Sequence, residues 1–260
     1  MSETKSYRNL HIDSHMVQEE TDLRLEKTYE LCSNELGLQQ SKRDQIIAFY
    51  IAVISFVIPT VVSLDVENWM KGACFLTLYI LGSMMCIVIN RYRIYKEIYW
   101  ICCRVISQLF NVEPVYINKT LIQGLFYQSL LKNTQSILQF KDGELDPHPA
   151  DKSTRYYHKK ISVWKTYRKM LNSAETILFQ VMVLMATLVE LIGIIMMDMG
   201  NVKVIIIAII AALFNEFYWN RQYYKHLTGV YATVVDGDDK SFNSVYAKAW
   251  FLHNYVDLTD

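Results

Sequence analysis

Two long stretches of this chain, residues 46–64 and 72–90, contain no charged side chain. A helix must present about 20 mainly apolar residues to cross the roughly 30 Å hydrocarbon core of a bilayer, and both stretches approach that length. Only the short connector 65–71 separates them, so they are expected to pair as a helical hairpin. This absence of charge constrains the fold more than any other feature, because hydrocarbon excludes unpaired charges.

A second pair of apolar stretches follows in the last third of the chain. The run 176–197 carries a single charge, at Glu190, and the next run is wholly apolar from Val204 to Phe214. The alternative is a set of buried helices in a large soluble core, for which apolar runs of about 10 to 14 residues are usual. The lengths of the runs and their pairing across short connectors favour four membrane spans.

Basic residues are distributed unevenly around these spans. Residues 1–44 carry six Lys and Arg, residues 91–175 carry fourteen and the tail after Trp219 carries four, whereas the connectors carry only Lys71 and Lys203. Basic flanking segments are retained on the cytoplasmic side of a membrane. We therefore predict a multi-pass protein of the plasma membrane with both termini and the central segment in the cytoplasm.

These observations predict an all-α fold, an integral membrane four-helix bundle with helical cytoplasmic extensions. Nine Gly and four Pro in 260 residues leave few helix breakers. Within the central segment, a helix over about 154–173 is expected to lead directly into the third span. The predicted regions, in chain order, are a cytoplasmic N-terminal helical region (1–44), a first transmembrane hairpin (45–91), a cytoplasmic helical insert (92–175), a second transmembrane hairpin (176–220) and a cytoplasmic helical tail (221–260).

The third span contains a polar stripe formed by Thr176, Gln180, Thr187 and Glu190. Their spacings of four, seven and three residues place all four on one face of a helix. A carboxylate within hydrocarbon costs several kcal/mol unless it meets water or a partner, so this face is expected to point into the bundle or toward an aqueous path.

Two interpretations of Glu190 remain open at this point. In the first, Glu190 lines or gates a pore, and a ring of subunits would place one such carboxylate per subunit around a cation path. In the second, Glu190 lies neutral in a helix contact and is hydrogen-bonded to a neighbour such as Tyr79 or Thr77.

The other spans carry stripes of small and weakly polar residues, which allow helix backbones to approach closely in lipid. They predict a tightly packed bundle and contacts in a homo-oligomer. At the inner end of the fourth span, three polar residues are candidates for an inner gate. The packing candidates are Ser55, Pro59, Ser83, Asn90, Ala208 and Ala212, and the gate candidates are Asn215, Glu216 and Arg221.

Catalytic signatures are not found in this sequence. It contains no phosphate-binding Gly-rich loop, no His-Glu-x-x-His and no Gly-x-Ser-x-Gly. The five cysteines match no zinc or redox spacing. Equal numbers of basic and acidic residues, 26 each, give no reason to expect nucleic acid as a partner. We therefore predict a protein that is not an enzyme and that has no cofactor, no metal site and no stable nucleic-acid binding.

In layout, the chain resembles the bacterial four-transmembrane effector family associated with nucleotide-second-messenger antiviral defence systems. The shared layout is a cytoplasmic start, a pair of spans, a helical cytoplasmic insert, a second pair of spans and a short tail. This resemblance implies a membrane protein that assembles, is triggered from the cytoplasm and permeabilises the membrane of an infected cell.

Two functional hypotheses follow. The first is an oligomeric effector that conducts ions or permeabilises the membrane after a nucleotide or protein trigger binds in the cytoplasm, as in abortive antiviral defence. The polar stripe favours this hypothesis. The alternative is a non-conducting scaffold or sensor that anchors a soluble cytoplasmic partner, which the small-residue stripes permit.

Overall fold

The computed structural model describes residues 3–137, 163–198, 201–235 and 239–252. Within these ranges the ordered elements are helices and no strand occurs, which confirms the all-α prediction for this part of the chain. The helices are α1 (Glu3–Ser63), α2 (Asn68–Leu109), α3 (Lys119–Ile137), α4 (Val163–Met170), α5 (Ala174–Met197), α6 (Val202–Val235) and α7 (Asp239–Tyr246), with a short 3-10 helix at Pro114–Tyr116 before α3.

Four of these helices are long and apolar enough to cross a membrane. They are α1, α2, α5 and α6, and their apolar parts coincide with the four runs recognised in the sequence. The expected number of apolar helices is therefore confirmed. The first helix is longer than expected, because the predicted N-terminal region and the first span form one continuous α1.

The expected direct passage from the insert into the third span is wrong. Helix α4 ends at Met170, and α5 begins anew at Ala174. Ser173 caps the new helix, because its side-chain oxygen accepts a hydrogen bond from the backbone N–H of Thr176 at 3.2 Å. Such a cap satisfies one of the amide donors that every helix start leaves without a partner, and it stabilises the break.

The chain divides into two compact units. Unit 1 comprises residues 1–38, 95–161 and 230–260, and unit 2 comprises residues 39–94 and 162–229. Unit 2 therefore contains the four apolar runs, and unit 1 is made from the three segments outside them.

Unit 1 has its own apolar core. One face of α2 contributes buried residues at helical spacing, and α1, α3 and the tail close around it. The Phe126 and Tyr246 rings meet edge to face with centroids 5.2 Å apart, and the Cys32 thiol donates to the Tyr99 carbonyl at 3.2 Å. Burial raises the pKa of the Tyr246 hydroxyl to about 12.

Helix packing in unit 2 depends on three glycines. A Cβ on Gly72 would lie 2.7 Å from the carbonyl oxygen of Gly193, so α2 and α5 cross with their backbones in direct contact. A Cβ on Gly82 would lie 2.5 Å from the Tyr50 hydroxyl, so this glycine opens space for the Tyr50 ring of α1, which is fully buried. Close backbone approach at small residues is the usual packing mode of helices in lipid.

The predicted packing stripe of the first span faces outward. Ser55 and Pro59 are exposed within the chain, whereas Ile47, Tyr50 and Val61 are buried. The Tyr50 ring enters the space above Gly82, and this orients α1 with Ile47, Tyr50 and Val61 inward. Among the residues that the structure describes, Ser55 and Pro59 are therefore not buried against another helix, and their role in oligomer contacts stays a prediction.

Candidate functional site

The polar stripe of the third span lies on the inner face of α5. Thr176, Thr187 and Glu190 are buried and Gln180 is half-buried. The other face of the same helix is exposed and apolar, with Ile177, Val181, Leu184 and Leu188. The four predicted residues therefore share one face, and their polar atoms point toward the neighbouring helices.

Three residues of the stripe pair with polar residues on α6, which runs antiparallel to α5. The Thr176 and Tyr223 hydroxyls are 2.9 Å apart, and the Asn215 amide donates to the Thr187 hydroxyl at 2.7 Å. Between these two pairs, the Gln180 amide donates to the Asn220 amide oxygen. We call these six residues the polar seam: Thr176, Gln180, Thr187, Asn215, Asn220 and Tyr223.

A residue of α2 extends the polar seam. The Tyr79 hydroxyl donates to the Asn215 amide oxygen at 3.0 Å. Asn215 is only 4% exposed, and its amide has both a donor and an acceptor contact. Hydrogen bonds of this kind are what make a buried amide tolerable in an apolar surrounding.

The three candidates for an inner gate occupy different surroundings. Asn215 belongs to the polar seam, whereas Glu216 is half-buried beside it and accepts a hydrogen bond from the Asn220 amide at 3.2 Å. Arg221 is exposed. The structure thus brings two of the three candidates to the seam and leaves Arg221 outside it; a gating role for any of them remains a prediction.

The remaining packing candidates lie inside unit 2. Asn90 and Ala208 are buried, Ala212 is half-buried, and the Ser83 hydroxyl oxygen is inaccessible to solvent. These residues of α2 and α6 therefore face neighbouring helices, unlike the small residues of the first span.

A charged cluster adjoins the start of α5. Glu175 lies between two arginines from different helices, with its carboxylate 3.3 Å from Arg43 of α1 and 3.8 Å from Arg93 of α2. The Arg93 guanidinium also donates to the Thr176 hydroxyl at 3.3 Å and lies 4.7 Å from the Tyr223 ring centroid. We call Arg43, Arg93 and Glu175 the ion triad; it contacts one end of the polar seam.

Glu190 differs from the rest of the stripe. It is 8% exposed, and its Oε2 is buried with no hydrogen-bond partner among the residues that the structure describes. The two partners suggested from the sequence are engaged elsewhere, since Tyr79 donates to Asn215 and the exposed Thr77 donates to the Ala73 carbonyl of its own helix. The expected hydrogen bond from either residue is therefore wrong, because their positions on α2 direct both hydroxyls to other acceptors.

Sequence reasoning missed several residues of this site. Asn220 and Tyr223 follow Asn215 at spacings of five and three, so the polar face of α6 continues past the point where the fourth span was ended. Arg43 lies at the edge of an apolar run, where it was counted only as a flanking basic residue, and Glu175 at the edge of another run was not considered. Ser173 and Glu175 also form a recognisable helix start, with a capping serine followed by an acidic residue in the first turn.

Comparisons with protein-family models, with curated proteins and with solved structures find no match to this chain. Among the described residues, no group of three or more His, Cys, Asp or Glu side chains is placed to hold a metal ion.

Proposed function

We propose that this chain is a multi-pass protein of the plasma membrane whose second unit spans the bilayer and conducts ions when it is triggered from the cytoplasm. In this proposal the termini and the insert are cytoplasmic, as the distribution of Lys and Arg supports. The conducting element is the inner face of α5 together with the polar seam.

The observation that carries the proposal is the buried carboxyl group of Glu190 on the polar face of α5. From Thr176 to Glu190 the stripe extends about 21 Å along α5, at 1.5 Å per residue, which is most of the thickness of a hydrocarbon core. Ionisable residues in membrane helices are rare, and they commonly mark ion pathways or proton relays. An α-helical bundle needs no such residue for stability alone, because apolar side chains would fill the same space.

A homo-oligomer is part of the proposal. The outward stripe of α1 consists of small residues that are exposed within the chain, namely Ala48, Ala52, Ser55, Pro59 and Ser63. Small residues give no packing advantage on a helix face that contacts lipid, whereas on a face that contacts another helix they allow the two backbones to approach closely. This stripe supports contact between α1 helices of neighbouring copies.

The oligomer is tested by crosslinking in membranes. Ser55→Cys should give crosslinked dimers with a short thiol reagent in a background in which the exposed Cys74 is serine. Ser83→Cys is the matched control, because its hydroxyl oxygen is buried inside the chain. Equal crosslinking of the two variants, or none at Ser55→Cys, would count against the oligomer.

The trigger is proposed to act through unit 1. Helices α1, α2 and α6 each continue without a break from residues of unit 1 to residues of unit 2. A nucleotide or protein that binds unit 1 would therefore act on helices that also carry the apolar runs, and switching by helix displacement is common in such proteins. The similarity in layout to bacterial defence effectors supports a role in abortive antiviral defence.

Ion flux through liposomes tests the conduction. The full-length chain is reconstituted under an imposed membrane potential, and cyclic mononucleotides and cyclic dinucleotides are added as trigger probes. We expect flux from the wild type and altered flux from Glu190→Gln. Glu67→Gln is the matched control, because Glu67 is exposed in the connector between the first two spans. In cells, the wild type should depolarise the membrane and stop growth. A wild type that passes no ions with any probe would refute conduction.

A non-conducting scaffold is the second candidate, and one observation favours it. Three of the four stripe residues already have partners on α6, as a static helix contact would require. Under this alternative, liposomes stay sealed while substitutions in the polar seam still destabilise the protein. The combination of flux and stability measurements therefore separates the two functions.

A further inference from the structure

Glu190 is the only ionisable side chain between Thr176 and Met197. It lies about 10 Å from the end of α5 at Met197, measured as seven residues along the helix. Its Oε2 is buried and has no donor within hydrogen-bonding distance among the described residues. The geometry therefore isolates one carboxyl oxygen in the interior of unit 2.

An ionised carboxylate is poorly accommodated at this position. Removing such an ion from water costs several kcal/mol even after the protein relaxes, and only hydrogen bonds or an opposite charge offset this cost. The arginines of the ion triad interact with Glu175 at the other end of the stripe, about 22 Å away along the helix. A buried carboxyl group without such partners binds a proton instead.

The surroundings of Glu190 suit a proton better than a metal ion. Metal cations require several oxygen ligands, whereas a proton requires one oxygen atom. Its neighbours one turn away on α5 are Ala186, Thr187, Gly193 and Ile194, so α5 itself supplies one oxygen ligand besides Glu190, the Thr187 hydroxyl, to which Asn215 already donates. Among the described residues, no second acidic, His or Cys side chain completes a metal-binding group.

The polar seam provides hydroxyl and amide groups next to this carboxyl. Thr187 lies three residues before Glu190 on the same face of α5, where side chains of adjacent turns are neighbours. It is joined by hydrogen bonds to Asn215 and through it to Tyr79. Acidic and histidine side chains within membrane helices form the proton relays of pumps and transporters, so an intramembrane carboxyl group suits the same chemistry.

We propose that Glu190 is an intramembrane proton-binding site and that the ion conducted by this protein is the proton. The binding step is independent of conduction. The transport step rests on the function proposed above and names its substrate. In each transfer Glu190 Oε2 takes a proton from a hydronium ion, which is left as water, and later gives it to a water molecule, which becomes hydronium; the carboxyl group returns to its carboxylate form.

Infrared spectroscopy of the full-length protein in lipid vesicles tests the binding step. At neutral pH the wild type should show the C=O band of a protonated carboxyl group, and Glu190→Gln should lose it. Glu67→Gln should keep the band and lose only carboxylate absorption, because Glu67 is exposed. Identical protonated-carboxyl bands in the wild type and Glu190→Gln would overturn the site.

Flux measurements in the same vesicles test the transport step. A pH-sensitive dye inside the vesicles should report proton entry with the wild type and Glu67→Gln, and entry should be lost with Glu190→Gln. If the infrared band is found but no ion passes, the proton site stands and the proposed function fails. If potassium passes as readily as protons and Glu190→Gln leaves both unchanged, conduction stands and the proton inference fails.

Discussion

Removal of one hydroxyl from the polar seam should destabilise unit 2. In Thr187→Val the Asn215 amide loses the acceptor that it contacts at 2.7 Å, and Asn215 is only 4% exposed. A buried donor left without a partner costs about 1–3 kcal/mol. Hydrogen bonds between membrane helices average about 0.6 and reach about 1.7 kcal/mol. We therefore expect a loss of about 1–2 kcal/mol in the free energy of unfolding.

Thr77→Val is the matched control for this substitution. Thr77 also lies in an apolar run, but it is exposed and its hydroxyl donates only to the Ala73 carbonyl in its own helix. Its replacement should change the stability by less than about 0.5 kcal/mol. Both variants can be compared with the wild type by titrating folded protein in mixed micelles with a denaturing detergent and following far-ultraviolet circular dichroism.

A double substitution tests whether the cost arises from the orphaned amide. Asn215→Leu removes the donor, so its addition to Thr187→Val should cost less than the sum of the two single changes. If Thr187→Val and Thr77→Val have equal effects, or if the double variant is strictly additive, the polar seam contributes no specific stability.

Further predictions concern packing, charge and pH. Gly72→Ala should be about 1–3 kcal/mol less stable than Gly124→Ala, because a Cβ at Gly72 meets a backbone carbonyl at 2.7 Å whereas nothing lies within 4 Å of one at Gly124. The detergent titration measures both stabilities, and equal values would contradict the close crossing of α2 and α5. Glu175→Gln should lower the free energy of unfolding by about 1–3 kcal/mol in the same titration, because it leaves two partly buried arginines without their shared carboxylate. Asp44→Asn, at an exposed residue, should lower it much less. Similar effects of the two substitutions would exclude a structural role for the ion triad. The pKa of Tyr246 is about 12 in the folded chain against 10 for an ordinary tyrosine, so the stability that its buried hydroxyl contributes is present below pH 10 and is lost as the pH rises toward 12. Circular dichroism measured against pH should show this loss of stability in the wild type and a smaller loss in Tyr246→Phe.

Much of the helical organisation could be predicted from local patterns alone. The uncharged runs located the four apolar helices, since an absence of charge over about 20 residues needs no tertiary contact to be read. The inner face of α5 was also predictable, because the spacing of Thr176, Gln180, Thr187 and Glu190 matches a helical repeat whatever the helix packs against. The assignment of these helices to a membrane and of an ion path to this face remains a proposal.

The partners of these residues depended on the tertiary structure. Periodicity along one helix cannot specify which residue of another helix lies opposite. Only the tertiary structure therefore shows that Thr187 pairs with Asn215 and that Gly72 contacts Gly193. For the same reason the first span was expected to pack through its small residues, whereas the buried Tyr50 ring orients it the other way. Helical and apolar segments follow from the order of the residues alone, because these properties are local. Hydrogen-bond partners come from residues distant in the chain, so only the fold assigns them, and among the described residues it leaves Glu190 Oε2 without one.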